Sequence, residues 1–125
     1  MPSHFHIILC LHPCKGMVSD IMRDIKKYSA WDILDAIEDD GQVELVKLFR
    51  QAAVGISGQR RKLWMPRFDD QVIRSREMML TKLEYIHANP VRAGLVTDPV
   101  DYKYSSARNY ILGDQSVLEV DLEGF

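Results

Sequence analysis

Thr81-Lys82-Leu83-Glu84-Tyr85-Ile86-His87-Ala88-Asn89-Pro90 is the stretch from which the rest of the chain is read. It has the pattern of the last turns of a helix. The helix is expected to stop at Asn89, because a proline disfavours helical geometry in the residue before it. Tyr85 and Asn89 are four residues apart, so their side chains leave the same helix face. Met79, Leu83 and Ile86 form the neighbouring apolar stripe, and the pair therefore flanks the core-facing side. Taken alone, it is a half-buried tyrosine beside a helix-ending asparagine. The opposite end of the chain gives it another meaning, because His4-Phe5-His6 supplies two imidazoles that want a third partner.

The 125 residues are 46% hydrophobic and 27% charged, which suits one domain with a core of its own. No apolar run approaches the roughly 20 residues that a membrane helix needs. Residues 1–11 lack a basic start and a small-residue cleavage site, so a cytoplasmic location without membrane contact is expected. Cys10 and Cys14 are too few for a disulfide framework. Net charge is −2, which does not advertise a nucleic-acid binder, but the charge is unevenly placed. Residues 59–82 carry seven positive side chains against three negative, a local +4. Residues 98–125 carry six acids against Lys103 and Arg108. A polyanion meets one attractive region rather than an attractive molecule.

Residues 5–11 read as a short, largely buried strand, with His4 and His6 on one face and Phe5 on the other. His-x-His is a compact pair of metal ligands for that reason. Cys10, His12 and Cys14 share the parity of the histidines, which leaves a soft-metal site as an alternative. Neither a CxxC knuckle nor a widely spaced second ligand pair is present to support zinc. Val18, Ile21, Met22, Ile25 and Tyr28 then recur at helical spacing, with Ser19 as the cap and a break near Ser29 before Leu34 and Ile37. Lys26 and Lys27 on this helix read as solvated. Residues 42–54 form a second helix. Residues 63–73 look extended, with Pro66 demoting the first part to an edge or bulge. Trp64 is either a stacking platform for a base or a buried anchor. Ser75 caps the helix that carries Tyr85. Residues 91–96 turn back to the core, and a short helix ends by Gly113.

Together these pieces resemble the single-tyrosine HUH transposases. These are the insertion-sequence-200-like enzymes, and the closest likeness is to the REP-associated tyrosine transposases. The resemblance is carried by four motifs in the family's order. They are residues 1–6; Leu63-Trp64-Met65-Pro66-Arg67-Phe68 with Val72-Ile73-Arg74; residues 85–96, Tyr-Ile-His-Ala-Asn-Pro-Val-Arg-Ala-Gly-Leu-Val; and Tyr104-Ser105-Ser106. It implies an α+β, ferredoxin-like domain over residues 1–112 and an acidic tail over 113–125. In the family the histidine segment is internal and follows a strand, a helix and a second strand. The expected fold therefore lacks those elements and is helix-rich with an incomplete antiparallel sheet, whose histidine strand and 68–73 strand lose the neighbour between them.

The same resemblance implies the site. His4 and His6 match the pair that binds Mg²⁺ or Mn²⁺, Tyr85 matches the nucleophile, and Asn89 matches a further polar metal ligand one turn beyond it. Ser3 stands where the family usually has asparagine. The implied activity is metal-dependent cleavage and transfer of single-stranded, hairpin-forming DNA through a 5′-phosphotyrosine, as in DNA transposition. Arg60, Arg61, Lys62, Arg67 and Arg74 are the candidate backbone contacts. Lys82 shares the face of Tyr85. Two other readings stay open: a truncated relic that holds DNA hairpins without cutting them, and a small metal module of His4, His6, Cys10 and His12. Monomer and homodimer both occur in the family.

Overall fold

The computed structural model describes residues 1, 3–11 and 16–122, and the chain forms two compact units. The first joins Met1–Cys10 to Gln71–Phe125, and the second is Leu11–Asp70. His12 and Cys14 of the alternative soft-metal reading lie outside the described residues.

The second unit is a helical pair, α1 (Val18–Asp39) and α2 (Val43–Gln51). α1 starts two residues earlier than a Ser19 cap allows, with Met17 at the N-cap and no side-chain cap bond. It also runs unbroken through Ser29, whose hydroxyl donates to the Ile25 carbonyl 2.6 Å away and so stays inside the helix. Met22 and Leu34 are its buried residues. The segment after α2 is held onto α1 by polar bonds. Trp64 Nε1–H donates to Ser29 Oγ at 3.0 Å. Lys26 Nζ donates to the carbonyls of Met65 and Arg67 at 2.9 and 2.8 Å and lies 5.5 Å from the Phe68 ring centre. Trp64 is thus an anchor rather than a free stacking platform, and Lys26 is a brace rather than a solvated charge.

The first unit is built on α3 (Arg76–Arg92), followed by a 3-10 turn (Pro99–Asp101) and α4 (Ala107–Leu112). Ser75 caps α3 as its sequence predicts, accepting from the Met78 N–H at 3.1 Å. The helix does not stop at Asn89. It carries Pro90 in its last turn and ends beyond Arg92, where Gly94 takes φ 69°. There the Leu95 N–H bonds the Pro90 carbonyl and the Gly94 N–H bonds that of Val91, both at 2.9 Å. This paired closure satisfies the last carbonyls and needs a left-handed residue, which glycine supplies. The buried stripe of α3 is Leu83, His87 and Pro90, at i, i+4 and i+7.

The expected α+β fold with an incomplete antiparallel sheet is not what forms. Among the described residues there are helices and turns but no strand. A strand exists only as part of a hydrogen-bonded ladder. Neither residues 3–11 nor residues 63–74 make a backbone–backbone bond among the described residues, so both apolar segments stay irregular. The alternation of side chains in the first survives in part: Phe5 is partly covered while His4 and His6 are exposed. The acidic segment after Gly113 is tied to α4. Arg108 pairs with Asp114 at 2.7 Å, and Asn109 Nδ2 donates to Gln115 and to the Leu118 carbonyl at 2.6 and 2.7 Å. The accessible surface is 9813 Å². Among the described residues the core is thin: Met22, Leu34, Ala53, Leu83 and Ala107 are its buried apolar members.

Candidate active site

One stripe of α3 runs beside its covered side. Tyr85, Asn89 and Arg92 follow at i, i+4 and i+7, which returns each side chain to nearly the same direction. Tyr85 is 48% exposed. The start of the chain reaches this stripe: the His6 ring stands edge-on to Tyr85 with centres 5.8 Å apart, and His4 stands edge-on to His6 at 5.0 Å. Arg92 places its guanidinium carbon 5.5 Å from the centre of the Tyr85 ring. A cleft of about 90 Å³ beside His6 is bounded by Phe5, Ile86, Pro90 and Tyr104 among others.

The test of a metal site here is the chemistry of its donors: His4 and His6 are neighbours, ring centres 5.0 Å apart, and imidazole nitrogen is a ligand for divalent ions. Ser3 Oγ lies 3.0 Å from His4 Nδ1; with Nδ1–H donating to it, the Nε2 lone pair is left for a ligand. Loss of solvent around the His6 ring, then the neighbouring His4 and the chain's amino terminus, lowers the His6 pKa and keeps it in the neutral form that ligates. Asn89 Nδ2 is buried with no hydrogen-bond partner. A half-turn of the amide puts its oxygen in that place, and an oxygen there is a donor in want of a cation. Among the described residues no three His, Cys, Asp or Glu side chains converge on a metal-sized site, so any ion here rests on two imidazoles and an amide.

The other side of α3 has a different character. A hollow of about 500 Å³ is lined by Leu80, Leu83, His87, Tyr110 and Ile111. His87 is buried, 2.9 Å from Ser106 Oγ through Nε2 and 5.6 Å from the Tyr110 ring centre. Burial lowers its pKa, so it serves as a neutral core residue.

The basic candidates divide. Arg74 is exposed and belongs to the unit of Tyr85, whereas Arg60, Arg61, Lys62 and Arg67 belong to the other unit. Arg61 is committed internally, to Asp35 at 2.6 Å and Glu38 at 2.9 Å, and is 22% exposed. Among the described residues Arg60, Lys62, Arg67 and Arg74 have no such ion pair. Lys82 makes no bond to Tyr85. The cation at Tyr85 is Arg92, which the sequence reading passed over, although its spacing of seven from the tyrosine marked the same face.

No family model, curated protein or solved structure matches the chain.

Proposed function

We propose that the chain is a transposase-type endonuclease and strand transferase for single-stranded DNA, with Tyr85 as nucleophile and His4, His6 and Asn89 as ligands of Mg²⁺ or Mn²⁺. The observation that carries this reading is the meeting of His6 and Tyr85, 79 residues apart in the chain, with ring centres 5.8 Å apart on an exposed face. A structural core pair has no reason to stay open to solvent, and two adjacent imidazoles have none to gather at a phenol.

A divalent ion on these residues supplies Lewis acidity at a scissile phosphate and offsets the negative charge that develops there. Imidazole favours Mn²⁺ by affinity, while cellular supply favours Mg²⁺. The rest is done by the chain. His6 orients its ring by packing its edge against Tyr85, and Ser3 holds His4. The Tyr85 oxygen loses its proton to solvent and attacks phosphorus. The new bond joins the tyrosine oxygen to phosphorus, and the bond from phosphorus to the 3′-oxygen breaks. The electron pair stays on the 3′-oxygen, which takes up a proton. The 5′ fragment of the broken linkage leaves with a free 3′-hydroxyl, and the other fragment stays esterified to Tyr85. Attack by another 3′-hydroxyl reverses the step and rejoins DNA without a nucleotide cofactor. Arg60, Lys62, Arg67 and Arg74 are the proposed contacts to the DNA backbone, which confer affinity without sequence choice.

Cleavage of an end-labelled hairpin oligonucleotide in Mn²⁺ tests the reading. The expected products are a free 3′-hydroxyl and a 5′ end blocked by protein, both absent with a chelator. Salt-sensitive binding without any cleavage would replace this reading with that of a hairpin-binding protein.

A further inference from the structure

Arg92 is the charged group at the nucleophile that the mechanism above does not use. It sits in the last turn of α3, is exposed, and among the described residues takes part in no hydrogen bond or ion pair. It lies over the Tyr85 ring, with its guanidinium carbon 5.5 Å from the ring centre. Such a contact uses the electron-rich face of the ring and leaves the in-plane N–H groups unspent. Two of them match two oxygens of one phosphate, the bidentate geometry for which arginine is suited and lysine is not.

The distances agree with a phosphate held between the two side chains. A guanidinium carbon over the ring at this height is about 6 Å from the phenol oxygen. A phosphorus about 3.3 Å from the attacking oxygen and about 4 Å from the guanidinium carbon spans that gap. The stripe of Tyr85, Asn89 and Arg92 then has a division of labour along two turns of one helix. Its first member attacks, its second is a metal donor, and its third grips the group attacked. Arg74 and the basic side chains of the other unit are too general for that task, because nothing ties them to the tyrosine.

Resting on the proposed function, we infer that Arg92 is a phosphate-binding residue that holds the scissile phosphodiester against Tyr85 by two guanidinium N–H bonds. The role deepens the site by naming the chemical group it takes and the side chain that orients it.

The test uses inorganic phosphate and the full chain without metal, followed by site-resolved nuclear magnetic resonance. Added phosphate is expected to move the Arg92 Nε–H signal and the Tyr85 ring signals together. In Arg92→Ala the Tyr85 response should vanish, and in Arg92→Lys it should weaken. With hairpin DNA and Mn²⁺, Arg92→Ala should form covalent adduct roughly ten- to a hundredfold more slowly, with Mn²⁺ affinity unchanged. Absence of a phosphate response at Arg92, or a Tyr85 response that persists in Arg92→Ala, would overturn the inference. If wild-type chain binds phosphate at Arg92 and forms no adduct, the phosphate site stands and the nuclease reading fails. If wild type forms adduct and folded Arg92→Ala forms it equally fast, the nuclease reading stands and this role fails.

Discussion

At the scale of single residues, neutral imidazoles do two jobs in one unit. His87 is buried against Ser106 and Tyr110, and its pKa is lowered from the ordinary 6.5 by burial. His6 is lowered too, by desolvation and then by His4 and the amino terminus. In both cases the unfolded chain binds protons more readily than the native one. Their contribution to stability is therefore complete above the ordinary value and is lost as pH falls below it. A second loss is expected in strong acid. Asp114 is held down to about 2, first by Ser116 and then by Arg108, and its contribution disappears as pH falls from the ordinary 3.8 towards that value. Urea midpoints of the metal-free chain should drop between pH 7 and pH 5. His87→Gln should flatten that slope, because glutamine keeps a polar group near Ser106 and cannot charge. A slope unchanged in the variant would contradict the assignment. Ser3→Ala removes the partner of His4 Nδ1. Mn²⁺ affinity should fall by roughly tenfold, the lower end of what lost outer-shell bonds cost. Calorimetric titration of wild type and variant measures it. The histidines and Tyr85 were legible in the sequence because His-x-His and a tyrosine one turn before asparagine are local patterns. Arg92 was overlooked because its partner is an aromatic face, which charge counting does not register.

At the scale of elements, the helices were read well where the apolar repeat was long, and their ends less well. Ser29 did not break α1 because its hydroxyl returned to the Ile25 carbonyl. Pro90 removes one donor from the ladder, yet α3 runs through it to Arg92, and Gly94 two residues past the helix closes the remaining carbonyls. That extension is what brings Arg92 onto the face of Tyr85. The strands failed for a different reason. Their apolar composition is a statement about burial, whereas a ladder requires a second main chain alongside, which sequence pattern alone does not guarantee. Charge counting also does not register what Arg61 is paired with. It braces the segment after α2 to Asp35 and Glu38 of α1, both on the surface. Arg61→Ala should destabilise the chain by about 1 kcal/mol and leave the salt dependence of DNA binding as it was. Arg67→Ala should leave stability alone and reduce the slope of log affinity against log salt by about 0.7. Thermal melts and fluorescence anisotropy at several salt concentrations separate the two, and equal salt slopes in both variants would contradict the division.

At the scale of the whole molecule, the thin core has a thermodynamic consequence. Among the described residues Met22, Leu34, Ala53, Leu83 and Ala107 are the buried apolar members, so less apolar area than usual is exposed on unfolding. An average chain of this length gives a heat-capacity increment of about 1.5–1.9 kcal/mol/K, and the expected value here lies below that. Calorimetry at several pH values gives the number, and an increment at the upper end of the usual range would contradict the thin core. Among the described residues no helix is long and apolar enough to cross a membrane. Leu80, Ile111 and Leu112 are among the chain's exposed apolar side chains.

The central claim is that side chains from the two ends of the first unit make one reacting site on Tyr85. Its most direct measurement is peptide mapping after incubation with hairpin DNA and Mn²⁺. The protein is denatured, digested, and the peptide carrying nucleotide mass is identified. The account predicts a phosphate ester on Tyr85, dependent on Mn²⁺, lost in Tyr85→Phe and in His4→Ala. Folded, metal-loaded protein that carries no nucleotide, or carries it on another residue, would contradict it.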